Sequence, residues 1–167
     1  MGNQIKLRKV KTGDEKVLAY IQTESWKAAF SKILSKENLE NYADITKAEE
    51  MYTMIIDKRF GKGFLLFVDE RPHCFAFWDK TREEEMSEYA ELICIHSLCD
   101  NWGKGYGSQM MDFILDEIKR NGFNKVMLWV FEENHRARKF YEKHGFVLTE
   151  KTKKFCNTNE FMYCKQF

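Results

Sequence analysis

Three glycines at alternate positions, in Gly103-Lys104-Gly105-Tyr106-Gly107, sit between an apolar run ending at Leu98 and an amphipathic segment beginning at Ser108. A strand that turns into a helix through such a loop leaves the first-turn N–H groups without partners, and the helix dipole adds partial positive charge there. Glycine has no Cβ to hold back an approaching group, and it tolerates the dihedrals that aim successive amides inward. The loop is therefore a candidate anion site, with main-chain donors along Gly103, Lys104, Gly105, Tyr106, Gly107 and Ser108 and a cationic side chain on Lys104. The spacing excludes two phosphate loops. A G-x-x-x-x-G-K-[ST] loop places lysine after its last glycine, whereas Lys104 precedes it; a G-x-G-x-x-G turn would need glycine where Ser108 stands. A tight turn with no ligand is the alternative that the glycines alone leave open.

A second motif follows at Asn134-His135-Arg136-Ala137-Arg138-Lys139-Phe140-Tyr141-Glu142-Lys143-His144-Gly145-Phe146. On helical spacing Asn134, Ala137 or Arg138, and Tyr141 share one face, so a carboxamide, a small or cationic residue and a phenol fall in a row. The plainer alternative is an amphipathic helix with Phe140 in the core and Tyr141 half-buried.

Around these motifs the pattern predicts a single α/β (α+β) domain over residues 1–167, a mixed central sheet flanked by helices. Ile5, Leu7 and Val10 suggest a first strand. Capping-box patterns at Thr12/Glu15 and Thr46/Glu49 open two helices within about residues 12–58. Phe64–Val68 and Cys74–Trp78 form a hairpin, and Tyr89–Leu98 is a longer strand leading into the glycine loop. A helix follows over Ser108–Arg120, with Met111, Ile114, Leu115 and Ile118 on one face and Asp112, Asp116 and Lys119 on another. Val126–Val130 is a strand, Asn134–His144 a helix, and Phe146–Leu148 and Phe161–Tyr163 are the last strands.

The bulk numbers narrow the function classes. With 27 basic and 26 acidic residues the formal net charge is +1, so no global electrostatic case exists for nucleic acid or an anionic membrane as partner. No apolar run approaches the roughly 20 residues of a bilayer span, and Met1–Val10 lacks the apolar stretch of a signal peptide. Cys74, Cys94, Cys99, Cys156 and Cys164 form no C-x-x-C pair and have no histidine at zinc-ligand spacing, so they are expected to be reduced thiols in a soluble cytoplasmic protein without a metal site.

Together the two motifs resemble the GNAT superfamily of acyl-CoA-dependent N-acyltransferases. Gly103–Gly107 is similar to its pyrophosphate-binding signature Q/R-x-x-G-x-G/A, and Asn134–Phe146 matches N-x-x-A-x-x-F-Y-x-x-x-G-F at every fixed position. Glu91-Leu92 and Ile95-His96-Ser97 stand where the family's central strand carries a Glu-Leu and an apolar triplet, so the close resemblance spans about residues 89–147. One position departs: Trp102 stands where the family has Gln or Arg, removing a side-chain donor to the phosphates.

The resemblance implies an acetyltransferase that moves an acetyl group from acetyl-CoA, its acyl-donor cosubstrate, to a primary amine of a small molecule or peptide by direct attack. It also implies a pyrophosphate held by the amides of residues 103–108, a pantetheine arm paired with the backbone of Ile95, His96 and Ser97, and Asn134 bonding near that arm. Tyr141 would place its hydroxyl beside the thioester sulfur as the acid, and a main-chain N–H near Ser97 would serve the carbonyl oxygen. Glu91 is a candidate base, with a structural carboxylate as its alternative. His96 should face away from Ile95 and Ser97, as a core or surface histidine. The N-terminal helices would build the acceptor side, where Trp26, Phe30 and Tyr42 line a cleft or pack the core. Glu83, Glu84, Glu85 and Glu88 would draw a cationic amine or simply be solvated. Sheet edges of such domains often pair into homodimers. A non-catalytic acyl-CoA-binding sensor on the same fold is the alternative function.

Overall fold

The computed structural model describes residues 2–167, so Met1 of the N-terminal stretch lies outside the described residues. The chain opens with β1 (Ile5–Lys9), then α1 (Glu15–Phe30), α2 (Lys36–Tyr42) and α3 (Ile45–Asp57). It continues through β2 (Lys62–Val68), β3 (Arg71–Lys80), β4 (Tyr89–Ser97) and α4 (Tyr106–Arg120). It closes with β5 (Lys125–Phe131), α5 (His135–Lys143), β6 (Val147–Phe155) and β7 (Thr158–Gln166). The strands form one seven-stranded sheet in the order β1-β2-β3-β4-β5-β7-β6. Only the β4–β5 contact is parallel, so the sheet is mixed, as expected.

Helices cover both faces of the sheet, which is why β2 and β3 are near-continuous apolar runs rather than alternating ones. Cys74, Ala76 and Trp78 face the layer of α4, packing with Met110, Met111, Ile114 and Ile118. Phe75 and Phe77 face the opposite layer with Leu18 and Ile21 of α1 and Tyr52 of α3. Helix α4 buries the stripe its sequence predicts. Truncating the fully buried Ile114 to Ala would cost about 2–5 kcal/mol through lost transfer and a cavity.

The helix starts differ from the capping boxes. Asp14, not Thr12, precedes α1; its carboxylate accepts the Lys11 N–H at 2.8 Å and pairs with Arg8 at 2.7 Å. Asp44, not Thr46, caps α3, accepting the Lys47 N–H at 2.9 Å. At α3 the aspartate side chain takes a first-turn N–H as a cap, whereas Asp14 makes no cap bond to α1 and instead ties the turn before the helix to β1 through Lys11 and Arg8. The short α2, capped by Ser35 on the Asn38 N–H, was not expected; it buries no residue and so carries no periodic signal.

One irregularity positions the site. In the β3–β4 ladder Phe77 pairs with Cys94 and Trp78 with Leu92, so Ile93 is an extra residue, a β-bulge. Strands β4 and β5 pair only over Tyr89–Glu91 and Lys125–Met127, while β5 remains paired with β7 as far as Phe131. Beyond Glu91 the two parallel strands part, and the β5-facing edge of β4 has no strand beside it.

Candidate active site

The gap between β4 and β5 opens into two cavities, of about 960 Å³ and about 240 Å³. Ser25, Ile95, Arg136, Ala137 and Tyr141 line both, so the two meet between the free edge of β4 and the face of α5.

The smaller cavity is built largely by main chain. Gly103, Gly105, Tyr106, Gly107 and Ser108 line it. Gly103 (φ 78°) and Gly105 (φ 86°) hold left-handed dihedrals that a side chain would strain. The first helical bond of α4 runs from the Gln109 N–H to the Gly105 carbonyl at 3.1 Å, which leaves the amides of residues 106–108 without helical partners. These donors stand at the positive end of a 15-residue helix, a position that favours an anion. The helix begins at Tyr106, two residues earlier than its sequence suggests, so Gly103 and Gly105 form the turn and Gly107 lies in the first helical turn.

Side chains of the loop are otherwise occupied. Lys104 lines neither cavity, and its Nζ donates to Asn101 Oδ1 at 2.7 Å. Tyr106 is buried, with its hydroxyl accepting from Asn3, and Ser108 Oγ lies 3.0 Å from His144 Nε2. What these residues leave without a protein partner among the described residues is therefore backbone, the amides of residues 106–108.

Trp102 donates its indole N–H to the Ser97 carbonyl at 3.2 Å and to Ser97 Oγ at 3.0 Å. The Arg136 guanidinium stacks over that indole at 3.5 Å from the ring centroid. Burial pulls the Arg136 pKa down, and no carboxylate among the described residues forms an ion pair with it. An unpaired guanidinium thus lies against an aromatic plate beside helix-terminal amides, an arrangement the two sequence motifs did not single out. Its signal was an arginine in the variable position before Ala137 together with a tryptophan in place of the loop's donor.

Tyr141 is buried on α5, where desolvation pushes its phenol well above the ordinary value and keeps it protonated. No protein group among the described residues hydrogen-bonds its hydroxyl. Asn134 lines the larger cavity, and its Oδ1 caps α5 by accepting the Ala137 N–H at 3.2 Å; its NH2 group makes no bond within the protein among the described residues. Ile95 lies against both cavities and Ser97 against the smaller. His96 faces the other side of the strand, as alternation requires. It lines the larger cavity, stacks against Phe75 and Trp26, and lies 3.4 Å from Ser25 Oγ; burial lowers its pKa to about 4.

Glu91 lies apart from these groups. It is buried and lines neither cavity, and its carboxylate receives the main-chain N–H and Nε of Arg82 at 3.1 Å and Nη2 at 2.5 Å. Burial pushes this carboxyl up, but the Arg82 bonds outweigh it and hold it below the usual carboxylate range. That is the geometry of a structural carboxylate rather than of a free base; Arg82, not Glu91, reaches the cavity wall. Glu160 does line the larger cavity, with burial raising its pKa against the opposing Lys153 and Arg82. Cys94 lines it too, but burial pushes its thiol up to about 12, so it supplies no thiolate at neutral pH. No cluster of metal-ligating side chains is found among the described residues, and no helix there is long and apolar enough to cross a membrane.

The chain is similar to known proteins in sequence and in fold. The model of the acetyltransferase (GNAT) family matches residues 23–146, a span that includes the C-terminal half of α1, the bulged β4, the glycine loop and all of α5. The chain belongs to the GNAT acetyltransferase family. The uncharacterized N-acetyltransferase YuaI of Bacillus subtilis is 23% identical over 137 residues, 78% of this chain and 73% of that protein. The PaiA N-acetyltransferase of Thermoplasma acidophilum, solved in complex with coenzyme A, superposes with a TM-score of 0.82 at 21% identity, covering 98% of this chain and 99% of that one. The ribosomal-protein-S18-alanine N-acetyltransferase of Escherichia coli gives a TM-score of 0.69 at 17% identity over 98% and 94% of the two chains. At these identities the structural likeness establishes the shared fold, while the family match extends through both sequence motifs of this GNAT acetyltransferase.

Proposed function

We propose that this GNAT protein transfers an acetyl group from acetyl-CoA to a primary amine by direct attack. The observation that carries the reading is the placement of Tyr141 where the two cavities meet, one walled by main-chain donors and the other by side chains. Acetyl-CoA supplies the activated acyl thioester. The amides of residues 103–108 hold its pyrophosphate, and Arg136 on Trp102 takes over the contact that the family's Gln or Arg makes. The free edge of β4 over Ile95–Ser97 offers N–H and carbonyl groups to the pantetheine amides, and Asn134 has its NH2 group available to the same arm.

Acyl transfer then needs an amine stripped of its proton, a donor for the carbonyl oxygen and a proton for the departing sulfur. Tyr141, kept neutral by burial, donates to the sulfur. A main-chain N–H on the free stretch of β4 serves the carbonyl oxygen. Glu160 takes the ammonium proton: among the cavity's proton acceptors its affinity is raised by burial, whereas that of His96 is lowered to about 4. Glu91 fixes Arg82 at the wall instead of acting as the base.

The test is Tyr141→Phe, assayed by amine-dependent thiol release and by calorimetric titration with acetyl-CoA. The expected result is a kcat loss of roughly 10²–10³-fold at unchanged acetyl-CoA affinity. Unchanged turnover would remove Tyr141 from the chemistry. Absence of acetyl-CoA binding in the unaltered protein would remove the function.

A further inference from the structure

We propose that the larger cavity selects a monoamine mounted on an aromatic body of phenyl or indole size, and rejects linear polyamines. The inference rests on the N-acetyltransferase reading and specifies its acceptor.

Five rings from four elements form one wall: Trp26 and Phe30 of α1, Tyr42 of α2, Phe131 of β5 and Phe155 of β6. They meet one another mostly edge-on or tilted, Trp26–Phe30 at 5.0 Å, Phe30–Phe131 at 4.9 Å, Phe131–Phe155 at 5.7 Å and Phe155–Tyr42 at 5.0 Å. The rings join into a continuous wall, yet Trp26, Phe30 and Phe155 stay half-buried and Tyr42 is 41% exposed. Apolar surface left open inside a cavity is the surface an aromatic ligand covers, and edge-to-face contact with an added ring continues the same packing.

Charge points the same way. Asp79 and Glu160 are the acidic residues on the cavity wall, against four basic ones, Lys47, Lys80, Arg82 and Arg136. Asp79 already faces Lys62 at 3.5 Å, and Glu160 faces Lys153 at 3.9 Å. A polyamine would bring several ammonium groups into a wall with an excess of positive charge and no free carboxylate for each. The acidic run before β4 does not compensate, since Glu83, Glu84, Glu85 and Glu88 line neither cavity. Three of the four are engaged elsewhere: Glu83 accepts the Trp129 indole N–H, Glu85 faces Lys151 and Glu88 faces Lys125.

A single amine suits this wall. Aromatic surroundings disfavour its charged form, which aids the deprotonation that attack requires, and one carboxylate, Glu160, suffices to receive one proton. The Trp26 indole N–H is a further mark. It is buried without a hydrogen-bond partner on a residue of this wall, whereas the other such atoms, on Trp78 and Thr158, belong to residues that line neither cavity.

The experiment compares kcat/KM for 2-phenylethylamine, tryptamine and spermidine, with acetyl-CoA affinity measured separately by calorimetry. Both aromatic amines are expected to exceed spermidine by about 10-fold or more, the scale on which a pocket separates shapes it does and does not fill. Tyr42→Ala, a change at an exposed position that leaves the core intact, should raise KM for the aromatic amines about 10-fold without altering acetyl-CoA affinity. Acetyl-CoA binding with a preference for spermidine, or with turnover of none of the three, would overturn this proposal and leave the donor site standing. Failure to bind acetyl-CoA would instead defeat the underlying enzyme reading.

Discussion

The donor half and the acceptor half of the site are built from different materials. The donor half rests mainly on main chain from one stretch of sequence, the open edge of β4, the glycine turn and the first amides of α4, with side chains of α5 closing its far side. The acceptor half uses side chains from α1, α2, α3 and β3 to β7, brought together only by the fold. Backbone donors serve any ligand with the same phosphates and amides, so that half can stay constant while chemistry changes across a family. Side chains at the far wall are free to vary, and specificity follows them.

After Tyr141→Phe, the largest expected effect lies on the acceptor side. Glu160→Gln should lower kcat/KM about 10²-fold while leaving acetyl-CoA affinity unchanged, as measured by thiol release and calorimetry. Its pH profile is as informative. The carboxyl must be ionised to act, and its pKa is raised, so activity should fall with acid along a limb above the ordinary glutamate value. That limb should vanish in the variant. A limb near the ordinary histidine value is not expected, because His96 is held neutral down to about pH 4.

A smaller effect is expected where the donor half borrows a side chain. Arg136→Ala should weaken acetyl-CoA binding about 10-fold, the scale of one charge-assisted hydrogen bond. Adding Trp102→Arg to that variant should restore part of the loss by returning the cation to the loop. Calorimetry on the single and double variants checks both. An unaffected single variant would mean that the donor half is main chain alone.

The smallest effect should spare catalysis. Glu91→Gln is expected to destabilise the fold by about 1 kcal/mol, because most of Arg82 is solvent-exposed and the pair is screened. The folded-state pKa of Glu91 lies below the unfolded value. Its stabilisation is therefore present above the unfolded carboxylate range and lost as pH falls through the folded value. Denaturation of the two proteins should differ near pH 7 and converge as the pH falls below the folded-state value of Glu91, with kcat at neutral pH little changed.

The same contrast explains what was legible from residues alone. The glycine loop, α5 and the amphipathic face of α4 depend on local spacing, and a linear pattern records them. The sides taken by Ile95 and His96 followed from alternation. The Ile93 bulge in the β3–β4 ladder left no mark in composition, nor did the parting of β4 from β5 beyond Glu91. Glu91 stood in a suggestive place, but its capture by Arg82, nine residues earlier, depends on how the Thr81–Glu88 connection folds back. Glu160 was invisible because its neighbours on the wall come from distant segments. The capping boxes misplaced two helix starts for a local reason: Asp14 and Asp44 competed with Thr12 and Thr46 over a few residues, and only the backbone path decides such contests.

The most direct measurement is a calorimetric titration of the protein, and of Gly105→Val, with acetyl-CoA, using ATP as the control nucleotide. A side chain at Gly105 meets no neighbour within 4 Å but must adopt the left-handed φ of 86°, so the substitution disturbs the turn and its amides rather than the core. The expected result is selective binding of acetyl-CoA in the micromolar range, weakened at least ~10-fold in the variant while the fold persists by circular dichroism. Binding of ATP as tight as that of acetyl-CoA, or acetyl-CoA binding untouched by Gly105→Val, would contradict a donor site built from this turn.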